Sequence, residues 1–173
     1  MPQWDSGNKR IWSAASSSGE EAFSIAMVLA EHSIKQSWEI VGTDISTRIL
    51  KAAQNAQYPM LRSKDIPQEY LKKYCLKGID SEEGTFIIEP NLKSKVVFQY
   101  ANLKKNLIDL GDFDVIFLRN VMIYFDMETK RHVVSMLLRQ LKTGDYLMIG
   151  HSESLHGVTS EVRSVVPSIY QKT

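Results

Sequence analysis

A doubly wound, mostly parallel α/β sheet carrying a small inserted antiparallel β-subdomain is the fold this sequence predicts, and three observations carry the prediction. Short apolar runs alternate with segments of helical periodicity, which is the pattern of successive βαβ units. Asp114–Leu118 is a continuous apolar run bounded by charges, as a central parallel strand buried on both faces requires. The stretch from Lys77 to Pro90 reads as a hairpin with Gly84 in its turn region, and it interrupts the alternation as an insertion would.

Taken in order, residues 1–9 are polar and read as a frayed entry, and Arg10–Ala15 reads as a short buried strand. Ala22, Ile25, Ala26 and Leu29 follow at helical spacing and give an apolar stripe for packing on a sheet. Glu39–Asp44 is a second strand, and Ser46 caps a helix with Ile49, Leu50 and Ala53 on one face. The pattern loosens from Tyr58 to Pro67; Gln68–Cys75 then reads as a short helix, and Thr85–Ile88 as the return strand of the hairpin. Val96–Ala101 is a further strand. After the central run, Asp126 caps a helix whose Val133, Val134, Leu137, Leu138 and Leu141 face inward, closed by Gly144. Tyr146–Ile149 and Ile169–Gln171 complete the strands.

Length and composition bound what such a chain does. The 173 residues suffice for one domain with a real core. A formal net charge of +1 gives no reason to expect a nucleic-acid partner. The single cysteine, Cys75, excludes an internal disulfide and suits a reducing cytosol. No apolar run approaches the roughly 20 residues of a membrane helix, and the first residues lack the basic-then-apolar pattern of a signal peptide.

In doubly wound sheets, ligands bind outside the carboxyl ends of the strands, so the residues just after each strand matter most. The first strand runs into Ala14-Ala15-Ser16-Ser17-Ser18-Gly19-Glu20-Glu21. Small residues let a ligand approach the backbone closely. A phosphate site would call for more glycines and a basic group; two glutamates instead favour a cation. The same serines and glutamates also fit a capping box, Ser17 with Glu20 or Ser18 with Glu21. Asp44, at the end of the second strand, can accept both hydroxyl hydrogens of a ribose, or serve as a turn residue. Asn102 and Leu103 follow the next strand, where an amide and an apolar side chain could frame an adenine. Arg119 and Asn120, directly after the central strand, are costly there unless they meet a ligand, solvent or a charge partner. His151-Ser152-Glu153 follows the next strand; a solvated loop histidine is the commoner meaning, and His32 and His132 read as surface residues on helices.

The segments Trp12–Glu21, Thr43-Asp44-Ile45, Asn102-Leu103, Phe117–Phe125 and Gly150–Ser154 resemble the CheR-type chemotaxis receptor methyltransferases, in that family's order and over nearly the whole chain. The resemblance implies a Rossmann-like domain over 1–173 that binds S-adenosylmethionine and releases S-adenosylhomocysteine, with a β-subdomain inserted at about 77–95. It implies a cytoplasmic protein-glutamate O-methyltransferase, acting on the helical cytoplasmic domain of chemotaxis receptors, with no metal. By motif, Ala14, Glu21, Asp44, Asn102, Leu103, Arg119 and Asn120 would form the cofactor pocket, and Tyr124 and Arg119 would serve the reaction. The family's helical domain before the first strand is absent from these 173 residues, and the Lys77-Gly78-Ile79-Asp80 loop is poorer in glycine than in members whose subdomain tethers a receptor peptide. A glutamate carboxylate is already a nucleophile at neutral pH, its ordinary pKa being about 4.3, so the chemistry needs no catalytic triad. A non-catalytic S-adenosylmethionine- or receptor-binding module is the alternative reading. A nicotinamide enzyme would call for Gly-x-Gly-x-x-Gly after the first strand, where Gly19 stands alone.

Overall fold

The computed structural model describes residues 7–32, 37–105 and 110–173; most of the polar entry expected at 1–9 lies outside them. The chain runs β1 (Lys9–Ala14), α1 (Glu20–His32), β2 (Trp38–Asp44), α2 (Thr47–Asn55), β3 (Gln57–Pro59), α3 (Gln68–Tyr74), β4 (Cys75–Lys77), β5 (Thr85–Ile88), α4 (Pro90–Lys93), β6 (Val96–Tyr100), β7 (Phe113–Leu118), α5 (Met127–Arg139), β8 (Leu141–Ile149), β9 (Val162–Val166) and β10 (Ile169–Lys172). Seven strands form one sheet in the order β6-β2-β1-β7-β8-β10-β9, and three form a second, β3-β5-β4. Every pairing from β6 to β8 is parallel, whereas β10 pairs antiparallel with both β8 and β9. The order reverses at β1, which has β2 on one side and β7 on the other. The crevice beyond the carboxyl ends of β1 and β7 is therefore the switch point, where such sheets take ligands.

Alternation along β1 sorts the core into two layers. Ile11 packs with α1 residues Ala22, Phe23 and Ala26, with Leu50 and Ala53 of α2, and with Phe86 of the small sheet. Trp12 and Ala14 point the other way and pack with Val133, Val134, Leu137 and Leu138 of α5. The helix starts follow the expected chemistry: Ile49 N–H donates to the Ser46 hydroxyl at 3.4 Å, and Thr129 N–H to Asp126 at 2.8 Å.

Four segments differ from the sequence reading. Helix α5 ends at Arg139, so Leu141 and Gly144 belong to β8 and not to the helix. Leu141 pairs with Phe113, but Tyr146 pairs with Val115, so residues 142–145 form an excursion, and Gly144 supplies its φ of 88°. The loose stretch after Tyr58 conceals β3, which pairs with β5 and makes the hairpin region a three-stranded sheet drawing on Gln57–Ile88. Three residues are too few for a periodic signal. Strand β9 passed unread because none of its residues is buried, and the turn Pro90–Lys93, capped by Glu89, is similarly short.

At the amino-terminal edge of the sheet, Asp114 is buried and accepts from Arg10 N–H at 2.8 Å, Lys9 Nζ at 3.1 Å and Lys142 Nζ at 2.9 Å. Burial by itself would raise its pKa, but these three donors outweigh it and hold the carboxyl below the usual aspartate range. A folded-state pKa below the unfolded one contributes stability that is present above about pH 4 and lost as pH falls through the folded value. Asp114→Asn is thus expected to cost about 1–3 kcal/mol at neutral pH and to flatten the acid limb of the stability profile. Urea unfolding across that pH range checks both; an unchanged acid limb would contradict the assignment.

Candidate functional site

The strand ends of the large sheet carry unusual backbone. Ala15 (φ 60°) and Ser17 (φ 51°) follow β1, and Asn120 (φ 59°) follows β7. Non-glycine residues in this region are strained and persist only where their surroundings over-determine them. The surroundings here are carboxylates. Asp44 Oδ2 accepts Ser17 N–H at 3.0 Å while its Oδ1 accepts Ser46 N–H at 2.9 Å, which ties the turn after β1 to the turn after β2. Glu153 accepts three main-chain donors: Asn120 at 3.0 Å, Met122 at 2.8 Å and Gly150 at 2.7 Å. It locks the turn after β7 to the one after β8.

The two glutamates of the first turn have separate partners. Glu21 accepts from the Ser13 hydroxyl at 2.8 Å and from Arg119 Nη1 at 3.1 Å. Glu20 accepts from the Ser18 hydroxyl at 2.6 Å and pairs with Arg62. The structure therefore brings Glu21 and Arg119 together, two residues singled out separately in the sequence, and Arg119 has its charge partner within the crevice. Ala14 is buried as the last residue of β1. Asn102 accepts Lys104 N–H at 3.0 Å and stays half-buried. Leu103 turns into the core beside Ala14 and Val41, so its side chain lies beneath the crevice floor. Asn120 is exposed, and Tyr124 is 77% exposed on the loop entering α5. His32, His132 and His151 are all exposed.

Glu153 is the residue that sequence reasoning missed, since the segment His151-Ser152-Glu153 reads as a solvated loop. Its available signal was an acid three residues after a strand-ending glycine, opposite an Arg-Asn turn. Ser16 carries another mark: its hydroxyl is the one buried side-chain polar atom without a partner among the described residues. Around β1, β2, β7 and β8 stand the carboxylates Glu21, Asp44 and Glu153, with Glu21 paired to Arg119, while Glu20 pairs with Arg62. A cavity of about 430 Å³ lies elsewhere, lined by Phe23, Gln54, Ile87, Lys93 and Phe98. It includes none of these strand-end groups, and its Lys93 ammonium is used on the Asn55 carbonyl. The strained turns and converging carboxylates favour the crevice.

Solved structures share this fold. The glycopeptide N-methyltransferase MtfA complexed with sinefungin superposes with a TM-score of 0.52 at 12% identity, over 81% of this chain and 45% of that one; a likeness at that identity shows the fold alone. Residues 3–170 match the family described as CheR methyltransferase, SAM binding domain. The chemotaxis protein methyltransferase of Salmonella typhimurium is 35% identical over 158 residues, covering 90% of this chain and 55% of that protein. Its namesake in Escherichia coli is 38% identical over 152 residues, covering 86% and 53%. The chain belongs to the CheR methyltransferase family and matches its S-adenosylmethionine-binding domain; it spans about half the length of the curated relatives it matches. The residues present fit that cofactor, since an acidic crevice with close-approach turns and an unpartnered Ser16 hydroxyl suits a sulfonium and an ammonium better than a pyrophosphate. Among the described residues, no helix is long and apolar enough to cross a membrane.

If Glu153 organises two turns, Glu153→Ala should lower stability by about 1–3 kcal/mol, because three main-chain donors lose an acceptor. Glu153→Gln should recover only part of this, as an amide offers one acceptor oxygen. Denaturant melts that match the parent for Glu153→Ala would refute the role.

Proposed function

We propose that this chain holds S-adenosylmethionine across the carboxyl ends of β1, β2 and β7, and that it takes part in methylating glutamate side chains on the helical cytoplasmic domain of chemotaxis receptors. The observation that carries the reading is the coupled arrangement of Asp44, Glu21 and Arg119 around the strained turn after β1. A carboxylate has about four acceptor sites, so Asp44 can hold its two main-chain donors and still accept from ribose hydroxyls. Glu21 presents negative charge to a cationic ligand, and Arg119 keeps that carboxylate oriented. Asn102 and the backbone at Leu103 close the adenine side, and Ala14 and Asn120 border the rest.

When bound, S-adenosylmethionine supplies an electrophilic methyl group on its sulfonium. The incoming carboxylate needs no general base; the chain's part is to orient it, exclude water and leave it reactive. Tyr124 and Asn120 are both exposed on the segment after β7, and in this reading the Tyr124 phenol donates its hydrogen to the substrate carboxylate. Arg119, being paired with Glu21, contributes to the cofactor side more than to the substrate side. With Arg119 so engaged, orienting the substrate carboxylate calls for another wall. A cleft lined by Ile11, Ile25, Val28, Leu29, Val115, Phe117 and Met148 leaves one face of the sheet apolar, and parallel sheets are normally covered on both faces. A helical module, of the kind the family resemblance implies before β1, is the cover we assign to it. The protein acts in the cytoplasm in this reading.

The cofactor assignment predicts that the chain binds S-adenosylhomocysteine and not NAD by calorimetry. Asp44→Ala should lower that affinity at least about tenfold, from up to two lost hydrogen bonds to a charged acceptor. Glu21→Gln should weaken binding more than Glu20→Gln, and the reverse order would exchange their roles. The wall assignment predicts slow or undetectable methyl incorporation into receptor by residues 1–173 alone, and faster incorporation when a family helical domain is joined to them. Equal rates would mean that the second wall lies within these residues.

A further inference from the structure

The small antiparallel sheet reaches the cofactor turn through one side chain. Tyr58 is the middle residue of β3 and pairs with Phe86 of β5. Its ring lies 5.6 Å from Phe86 and meets Phe23 of α1 edge-on at 6.3 Å. It is only 5% exposed, and its hydroxyl donates to the Ser18 carbonyl at 2.8 Å. Ser18 lies between Ser17 and Gly19, both with positive φ, in the turn after β1. The turn is pressed onto this phenol: a Cβ at Gly19 would come 3.1 Å from the Tyr58 oxygen and 2.8 Å from the Phe98 ring. Arg62, just beyond β3, pairs with Glu20 on the other side of Gly19.

We propose that Tyr58 is a positioning residue for the cofactor turn, and that Tyr58 and Arg62 together make the small sheet part of the cofactor site. Asp44 holds the turn from the β2 side by taking Ser17 N–H; Tyr58 holds it from the opposite side by giving a hydrogen to the next carbonyl. A strained turn tied at both sides stays in its binding conformation, whereas one tied at a single side populates relaxed conformers. Apparent affinity falls by the fraction of molecules no longer competent. Burial foremost, and then the charge of Glu20, push the Tyr58 phenol upward, against a smaller opposing effect of Arg62. The hydroxyl therefore remains a donor across the range in which the protein works. On this geometry, anything that shifts β3 alters cofactor affinity.

The inference rests on the cofactor reading above, and one experiment separates the two. Tyr58→Phe keeps the ring packing and removes only the hydrogen bond. Calorimetry with S-adenosylhomocysteine on the full chain should show the dissociation constant rising about two- to tenfold, with the ligand-free unfolding midpoint little changed. Unchanged affinity, with or without a loss of ligand-free stability, would overturn the proposal and reduce Tyr58 to a core residue. Should that variant fail to fold, Arg62→Gln at an exposed position carries the same test: weaker binding supports the two-sided tie, and equal binding overturns it. Failure of the unaltered chain to bind would instead overturn the cofactor reading itself.

Discussion

Main-chain N–H groups that leave a parallel sheet need acceptors, and in this molecule two carboxylates provide them for the turns that matter. Asp44 takes donors from the turns after β1 and β2, and Glu153 takes three from the turns after β7 and β8. An unpaired backbone group at such a position carries a penalty comparable to a lost hydrogen bond. The same two side chains tie down Ser17, in a left-handed conformation that serine disfavours, and Asn120, in one that asparagine tolerates better. The crevice is thus a product of its own ties, with Glu21 at the start of α1 and Arg119 and Tyr124 on the segment after β7. The proposed ligand-facing role of Asp44 is compatible with its structural one because a carboxylate has acceptor capacity beyond the two bonds it makes here.

Electrostatics then select the ligand. A dinucleotide crevice on this kind of sheet presents glycines and a helix amino terminus to a pyrophosphate. Here the helix start carries Glu20 and Glu21, which oppose a phosphate and suit a cation. Arg119 and Arg62 offset part of this charge through their pairs with Glu21 and Glu20, and Asp44 and Glu153 remain as further acids at the strand ends. The pairing of Arg119 with Glu21 also separates the two halves of the proposed reaction. In this proposal, cofactor binding would draw on residues that the strand-end turns already hold, whereas orienting a substrate carboxylate would rely on the exposed Tyr124 and on a wall over the apolar sheet face.

Much of this was legible in the sequence, and the limits have physical causes. Strands β1, β2 and β7 stand where their apolar runs placed them, because each is buried deeply enough to need a nearly continuous signal, and the edge strand β6 is marked by Val96 and Phe98 alone facing the core. Asp44 and Glu21 were legible by position, as acids at a strand end and at a helix start. Their partners were not: the bonds from Ser17, Ser13 and Arg119 join residues up to 98 positions apart, and periodicity carries no information about such pairs. Leu141 read as helical because its spacing continued the stripe of α5, until pairing with Phe113 drew it into β8. Tyr58 was hidden for the opposite reason, being the single buried residue of a three-residue strand.

Amide hydrogen exchange with and without S-adenosylhomocysteine tests the central claim most directly, because the account depends on which backbone turns the ligand closes over. Protection is predicted in the turns after β1, β2, β6 and β7, spanning residues 14–21, 44–46, 102–105 and 119–124, with the turn at 150–153 following through Glu153. Protection confined to the cavity lined by Gln54, Lys93 and Phe98, with the strand-end turns unchanged, would contradict the account.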